Sequence, residues 1–520
     1  MYKIFTKLNI VFALQLVAVI ATVIFDVPRE IFLFTASIMV FFVAFSTLEE
    51  SVLFVARSIP LFVALPITEQ FDSLNMWRII IALMFAKWFF SPERLHGLFT
   101  TLRALGAQAR VSITDAARTA WRRWRIEVLS VALFLIACLS LIGASDVMGG
   151  IKRILLFVNL SMLFFVVRSV TTKESLRAIS RNAVISGVLV AGVGLIQLLL
   201  AYTMNVDHFS EFWALTVNKT LYGTAWANIA IAANTWFAYY NGTIHLRMFS
   251  SFPDTHSFPL YLLMVTGFAI TLLAFETKKV LRYALFVLIA VMMFEAVLSG
   301  TRGIWASIIF PIMFVGYVAV RKYARRSELA YASVPLVLFL ISLPIAGIIF
   351  NSPQFRFTGT AAEKKVFAER IKSIIDTEET SNQGRIYIWK ATLHSMVAHP
   401  FLGVGIGNFP VVLALNPSAI KAGASAHNLY LNFFAELGIL GFVASSVLIF
   451  ELCRRAWLVF RRYDGMTRFF AFNVLLYLIW IIWYSMTDVA IFDERPFLLS
   501  MIFVGALFAF EPKESSVSER

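Results

Sequence analysis

The chain has few of the residues that build soluble domains and metal centres. Only 15% of its 520 residues are charged, and its two cysteines are Cys138 and Cys453. Soluble domains carry about 25% charged residues, so this composition excludes an ordinary soluble protein. Two isolated cysteines beside apolar runs do not indicate a disulfide framework. The sequence also lacks an Asp-x-Asp motif and a His, Cys and Glu cluster with metal-ligand spacing, so we expect neither a metal ion nor a cofactor.

Apolar residues are abundant instead. They make up 59% of the chain, and long apolar runs recur from one end to the other. Runs of this length predict transmembrane helices, so we expect an all-α, polytopic membrane protein in which residues 1–520 form a single transmembrane domain. About fourteen spans are predicted, near residues 8–25, 31–48, 51–67, 76–90, 127–146, 152–170, 183–203, 258–275, 280–298, 303–321, 331–350, 428–450, 468–486 and 496–510.

The distribution of positive charge predicts how this bundle is oriented. The net charge is +14, and Lys and Arg concentrate in short segments between spans. With both termini in the cytoplasm these segments all lie inside, as the positive-inside rule requires. They are residues 94–125, 168–181, 278–282, 321–326 and 454–468. Because no soluble basic module is present, we expect the charge to contact membrane lipids and not nucleic acid.

Three segments outside the spans are long enough to carry structure of their own. Residues 91–126 are basic and roughly amphipathic, which predicts a cytoplasmic segment lying on lipid head groups. Residues 351–427 are predicted to form a large, partly helical outer loop, with a helix over 384–399. In the other long outer segment, residues 216–236 are mildly apolar and fit either a re-entrant or an interfacial helix.

Basic residues on the outer side are informative because the orientation rule does not ask for them. The guanidinium group is always charged and binds phosphate oxygens through paired hydrogen bonds, so arginines at this interface suit a diphosphate. Arginines of interest at this interface are Arg78, Arg247, Arg302 and Arg385. The alternative for each is an interfacial anchor or an ion pair. A functional role is favoured for Arg247 and Arg302, which adjoin turns rich in Gly or Ser, and Glu295 is a candidate partner of Arg302.

Arg57 and Lys87 are basic residues within predicted spans. Lys87 is close to the inner end of its span, so its long side chain is expected to extend to the interface. Arg57 lies deeper, and an intramembrane charge indicates function by default. The sequence does not specify what that function is.

The pattern His427-Asn428, nine residues, Gly438, two residues, Gly441 marks the end of the large outer loop. A histidine at a water–membrane boundary can accept a proton from a hydroxyl at neutral pH. On a continuous helix eleven residues make about three turns, which places Gly438 beneath His427 and predicts a smooth face for a neighbouring helix. The alternative is that His427 only caps or packs. Asn428, Glu295 and Arg78 are possible supporting residues of the site.

A reaction on the outer face of a membrane must use an activated donor already in the membrane, because nucleotide sugars and ATP are scarce there. A polyprenyl-diphosphate-linked glycan qualifies. Without a divalent ion, arginines would stabilise the leaving diphosphate, and His427 would deprotonate the acceptor hydroxyl in a direct displacement that inverts the anomeric carbon. Asp254 and His256 are further candidates, although their context favours a turn.

Five stretches carry a resemblance to a known family: the turn at Arg247, Ser299–Gly303, Gly384–Trp389, His399–Phe409 and the pattern from His427 to Gly441. In these the chain resembles the O-antigen ligase and polymerase family, the membrane glycosyltransferases with the Wzy C-terminal signature. The resemblance implies a helical, metal-independent, inverting enzyme of the bacterial inner membrane, with its active site beneath a periplasmic loop. It also implies that Arg247 and Arg302 bind the donor diphosphate and that His427 is the catalytic base.

The resemblance leaves the acceptor open. Ligases transfer glycan to a lipid-linked core, polymerases join repeat units on the carrier lipid, and oligosaccharyltransferases modify protein hydroxyls. A glycan ligase or polymerase is favoured over a protein-modifying enzyme. A flippase or transporter for lipid-linked sugars is the alternative from another class, but it needs charges along a central cavity, whereas here they collect at the outer surface. A structural partner in an envelope assembly is a further alternative.

Overall fold

The computed structural model describes residues 6–67, 74–233, 235–240, 243–356, 380–413 and 425–510. Ten helices in this part of the chain are long and apolar enough to cross a membrane, so the predicted all-α polytopic class is confirmed. The count of fourteen spans is not. The other four predicted spans correspond to helices of 11 to 15 residues, whereas a crossing needs about 20.

The described helices of the N-terminal half include four that are long and apolar enough to cross a membrane, and short helices and a hairpin follow them. In order they are α1 (Lys7–Phe25), α2 (Ile31–Phe45), α3 (Leu48–Ser58), α4 (Met76–Phe89), α5 (Pro92–Val111), α6 (Ile113–Arg123), α7 (Arg125–Ser140), α8 (Val147–Val170), α9 (Lys173–Thr203), α10 (Val206–Glu211), α11 (Lys219–Tyr222) and α12 (Thr224–Ala233), then strands β1 (Phe237–Tyr240) and β2 (Thr243–Leu246). A π-helical stretch, Phe212–Asn218, joins α10 to α11.

The helices of the C-terminal half contain most of the fully buried side chains. They are α13 (Ser257–Phe275), α14 (Lys279–Leu298), α15 (Arg302–Ser307), α16 (Ile309–Val320), α17 (Arg326–Phe350), α18 (Thr380–Ala398), α19 (Leu429–Arg462), α20 (Gly465–Tyr484) and α21 (Glu494–Phe508). Single 3₁₀ turns lie at Ile59–Leu61, Leu141–Gly143, Phe409–Leu413 and Ala490–Phe492.

The central helices of the bundle are α13 and α20. Every residue of α13 from 257 to 273 is buried, as expected for a helix that is apolar on all sides. Helix α20 is mostly buried as well and packs against α13. The hydroxyl of Tyr484, the last residue of α20, donates to the carbonyl of His256 at 3.3 Å, so α20 ends where α13 begins. The loops at that end are therefore attached to the two buried central helices.

The hairpin is the one strand pair in the described residues, and the all-α prediction did not include it. Strands β1 and β2 are antiparallel, with Phe237 opposite Leu246. Directly after β2, the amide of Arg247 donates to the carbonyl of Trp236 at 2.8 Å. The end of the π-helical stretch and helices α11 and α12 occupy residues 216–233 of the segment 216–236, for which a re-entrant or an interfacial helix was expected. The hairpin that follows determines where Arg247 lies.

Helix α19 differs from the expected continuous helix, and the helical reasoning about His427 was wrong. Asn428 caps the helix and His427 precedes it with φ +46°, so His427 is not on the helix at all. Gly438 interrupts the helix with φ 65° and ψ −167°. A side chain there would overlap the backbone of Phe401 and Leu402. Gly438 therefore accommodates a docked loop, whereas a Cβ at Gly441 would meet Leu437 of the same helix.

The loop that follows α18 is held against α19 by backbone hydrogen bonds. The amide of Val404 donates to the carbonyl of Ala435 at 2.8 Å, and the amide of Ile439 donates to the carbonyl of Pro400 at 2.8 Å. Gly403 has φ +67° and lies against the backbone of 435–436. Because both partners approach backbone to backbone, only glycine fits at these contacts.

The structure also describes parts of the predicted basic segment, residues 91–126, and of the predicted outer loop, residues 351–427. Residues 91–126 contain α5 and α6, and the outer loop contains α18 over Thr380–Ala398 and the turn Phe409–Leu413. Residues 357–379 and 414–424 of the predicted loop lie outside the described residues.

Candidate active site

Asp488 lies at the centre of a polar cluster where α20 ends. Its Oδ1 accepts from the amides of Val489 and Ala490 at 2.8 and 3.0 Å, which fixes the carboxylate. Its Oδ2 lies 3.1 Å from Nδ1 of His256 and 3.6 Å from Nδ1 of His427. One buried carboxylate therefore faces two imidazole rings that are 171 positions apart in the sequence (427 − 256).

The environment determines which members of this cluster are charged. Burial lowers the pKa of His256 to about 4, with Arg247 and Arg385 acting in the same direction against the attraction of Asp488. Burial would raise the pKa of Asp488, but His256, His427 and Arg385 outweigh it, and that pKa lies below its ordinary value. At neutral pH His256 is therefore neutral and Asp488 is ionised.

His427 is held at its edge of the cluster by the outer loop. Its amide donates to Oγ of Ser425 at 3.3 Å, and the indole of Trp389 on α18 donates to the carbonyl of Ala426 at 2.9 Å. The His427 side chain is 40% exposed, while Asp488 beneath it is 9% exposed. The Nδ1 edge of the imidazole thus faces the carboxylate, and the exposed part of the ring is accessible to a ligand. The 3.6 Å separation is slightly longer than a direct hydrogen bond, as is common in unliganded catalytic sites.

The structure brings Arg247 and Arg385 toward this cluster. Arg247 donates from Nε to the carbonyl of Ser299 at 3.2 Å and from Nη1 to the carbonyl of Thr235 at 3.0 Å, so backbone groups position its guanidinium. It is near enough to His256 to affect that pKa, and Arg385 on α18 is near enough to affect both His256 and Asp488.

Arg302 opens α15 beside the same loop. Oγ1 of Thr301 donates to the carbonyl of Thr255 at 2.6 Å, next to His256. A side chain at Gly303 would overlap Oγ1 of Thr487, next to Asp488. The backbone on both sides of Arg302 is thereby tied to the two segments that carry His256 and Asp488. Because glycine has no Cβ, the backbone at Gly303 can approach the side chain of Thr487 this closely.

Three other residues predicted as supporting have structural contacts of a different kind. Asn428 is the helix cap of α19, and its Oδ1 accepts from the amides at 430 and 431. Arg78 pairs with Glu494 at 3.5 Å, which matches the ion-pair alternative. Glu295 does not form the expected pair with Arg302. It is fully buried in α14 and lies against Gly194 on α9, and neither of its carboxylate oxygens has a hydrogen-bond partner among the residues that the structure describes.

The sequence reasoning missed Asp488 and undervalued His256. Asp254 does form the expected turn, since its Oδ1 accepts from the amides of His256 and Ser257 at 2.7 and 2.9 Å. That turn directs the imidazole of His256 toward Asp488. A signal was available, because acidic residues are scarce in this chain and Asp488 lies in a short outer loop that also holds Asp493.

Asp493 adds a second acidic group to the cluster. Burial, together with Asp254 and Asp488, raises the pKa of Asp493 well above its ordinary value. Two adjacent buried carboxyl groups do not both ionise readily, which is the physical reason for the raised pKa of Asp493. The cluster therefore places two carboxyl groups of different acidity beside the imidazole of His256.

This arrangement suits proton abstraction beside a bound anion. If Nδ1 of His427 carries the proton and faces Asp488, Nε2 is left as the acceptor, which is the orientation that a general base needs. Arginines near the same end provide charge for a diphosphate.

The family model described as O-antigen ligase matches residues 284–445. The matched stretch contains Arg302, Arg385 and His427, whereas Arg247 and Asp488 lie outside it. A comparison with curated proteins gave no match. Residues 284–445 are therefore similar to the O-antigen ligase family, and they belong to a membrane protein with ten described helices that can cross a bilayer.

Proposed function

We propose that the protein is an inverting, metal-independent glycosyltransferase that uses a polyprenyl-diphosphate-linked glycan as its donor. It acts as an O-antigen or polysaccharide ligase or polymerase, on the periplasmic face of the bacterial inner membrane. The observation that carries the proposal is the cluster in which His427 faces the buried carboxylate of Asp488, with Arg385 and Arg247 close to the same groups. The family match supports this type of activity.

In the proposed reaction Nε2 of His427 accepts the proton of the acceptor hydroxyl. The acceptor oxygen forms a bond to the anomeric carbon while the bond from that carbon to the donor diphosphate breaks. The electron pair leaves with the diphosphate, whose charge is stabilised by Arg247, Arg302 and Arg385. Asp488 stabilises the imidazolium that forms and keeps the ring in the productive tautomer. Attack opposite to the leaving group inverts the anomeric centre.

The proposal is tested with purified protein in lipid nanodiscs, supplied with a synthetic polyprenyl-diphosphate glycan. We expect a new glycosidic bond of inverted configuration, at a rate that EDTA does not change. Offering a lipid-linked core glycan, a second carrier-linked repeat unit and a serine peptide as acceptors distinguishes ligase, polymerase and protein oligosaccharyltransferase. Movement of the donor across a sealed vesicle without bond formation would support a flippase and contradict the proposal.

Arg302→Gln tests whether the arginines bind the donor. We expect the KM for the donor to rise roughly 10- to 100-fold, because a charge-assisted hydrogen bond contributes about 1.5–3 kcal/mol. Steady-state kinetics with varied donor measure this. Arg325→Gln is the control, since Arg325 is exposed and paired with Asp464 on the opposite face. An unchanged donor KM in Arg302→Gln would remove Arg302 from the diphosphate site.

Asp488→Asn tests whether the carboxylate positions His427. An amide cannot stabilise an imidazolium and offers the ring the wrong tautomer, so we expect kcat to fall roughly 100-fold or more. The donor KM should stay within about twofold, because the arginines are intact. Asp464→Asn, at an exposed carboxylate of the cytoplasmic side, is the control. Equal losses in kcat and in thermal stability would instead indicate that Asp488 only holds the fold.

A further inference from the structure

The hydrogen-bond partners of Arg57 differ in kind from those of Lys87. Lys87 donates to the carbonyls of Val43 and Ser46 at 2.6 Å, where it satisfies the end of α2. Arg57 instead donates from Nε to Oδ1 of Asn182 at 2.8 Å and from Nη1 to Oδ1 of Asn9 at 2.6 Å. Both partners are neutral amides, and no carboxylate of the described residues pairs with Arg57.

These contacts line a cavity of about 360 Å³ between α1, α3 and α9. Its walls are Asn9, Arg57, Ala178, Arg181, Asn182 and Ile185. The cavity thus combines two guanidinium groups and two amides with an apolar side, and its described lining has no acidic residue. A volume of this size accommodates a phosphate group with the start of an attached chain.

The acidic residue Glu276 lies beside Arg181 of the cavity but does not neutralise the positive charge there. Glu276 lies 3.0 Å from Arg177 and 3.8 Å from Arg181. It also accepts from the amides of Thr277 and Lys278. The carboxylate of Glu276 is therefore shared by Arg177 and Arg181. Arg57 adds a further positive charge from the other side of the cavity. The net charge around the cavity is positive, which favours an anionic ligand.

The cavity is remote from the candidate active site. Asn182 is fifteen residues before Gln197 on α9 (197 − 182), which corresponds to about 22 Å along the helix. Gln197 accepts from the amides of Phe249 and Ser250, close to Arg247. The cavity therefore lies toward the other end of α9, among the basic residues that the positive-inside rule assigns to the cytoplasm.

We propose that this cavity binds the phosphate of an anionic phospholipid head group from the inner leaflet. Arg57 and Arg181 bind the phosphate oxygens, and Ala178 and Ile185 contact the apolar part of the lipid. Guanidinium groups suit phosphate geometry, and basic pockets between helices at the cytoplasmic face are typical of head-group recognition. Inorganic phosphate has the same chemistry, so the test includes it separately.

The test measures lipid binding to delipidated protein by native mass spectrometry. We expect wild-type protein to bind phosphatidylglycerol more tightly than phosphatidylcholine, and Arg57→Gln to bind phosphatidylglycerol about tenfold more weakly. Arg325→Gln removes one charge from the same face outside the cavity and should bind as wild type does. Equal phosphatidylglycerol binding in wild type and Arg57→Gln would overturn the proposal.

Further variants separate binding from folding, because Arg57 also links α1, α3 and α9. Arg57→Lys retains the charge and should bind with intermediate affinity. Arg181→Gln leaves the bonds of Arg57 intact and should weaken binding as well, so it decides the question if Arg57→Gln does not fold. Displacement of the lipid by millimolar inorganic phosphate would support the site with a soluble anion as ligand. Undiminished binding in Arg181→Gln counts against it.

Discussion

His427→Ala is expected to reduce glycan transfer by roughly 10²- to 10⁴-fold, the contribution typical of a positioned general base. The side chain is 40% exposed and is not part of the buried core, so the variant should fold. The arginines are unchanged, so donor affinity should stay close to that of the wild type. The measurements are turnover with a polyprenyl-diphosphate glycan and direct binding of the same donor.

The control for this substitution is His394→Ala. His394 lies on α18 with an exposed side chain, and it belongs to the same outer loop. Its loss should leave turnover within about twofold, because exposed substitutions away from a site rarely matter. If His427→Ala turned over donor at the wild-type rate, another group would have to remove the proton, and His256 would be examined first because it faces the same carboxylate.

Gly438→Ala is expected to lower the stability of the folded protein strongly. The φ of 65° and ψ of −167° belong to a region that is essentially restricted to glycine, and occupying it with another residue costs about 1–3 kcal/mol. A Cβ would also overlap the backbone of Phe401, which cannot rotate away as a side chain can. Overpacking of this kind adds about 1–3 kcal/mol. The loop over residues 400–405 should then separate from α19, and His427 should lose its support.

Thermal unfolding in detergent, followed by size-exclusion chromatography, measures this effect. We expect Gly438→Ala to show a strongly lowered Tm and little transfer activity. The matched control is Gly192→Ala, because Gly192 is on α9 and a Cβ there meets nothing within 4 Å. Alanine is the better helix former, so that variant should be neutral or slightly more stable. A Gly438→Ala protein with wild-type Tm would show that the loop does not dock as described.

Much of the fold is predictable because hydrophobicity is a local property of the chain. The run 258–275 is apolar on every side, and it becomes the buried central helix α13. The number of crossings is less predictable, because a run such as 51–67 reads as a span but forms an 11-residue helix followed by a 3₁₀ turn and extended chain. The kink at Gly438 also could not be predicted, since it depends on contact with a loop more than thirty residues earlier in the sequence.

The residues of the candidate site were likewise only partly predictable from the sequence. The motif identified His427, and the orientation rule drew attention to Arg247, Arg302 and Arg385. The carboxylate facing His427 could not be found this way, because Asp488 is 61 residues distant (488 − 427) and outside any motif. Glu295 shows the opposite error: it is near Arg302 in the sequence, yet it lies against Gly194 on another helix.

The amino-acid order alone was sufficient for the membrane character and the helical class, because each follows from composition or from neighbours within a few turns. The assembly of His256, His427 and Asp488 depends on how α13, α19 and α20 pack. Burial of α13 and α20 in the centre of the bundle brings their ends together, and the charges there respond to distances that no local pattern encodes.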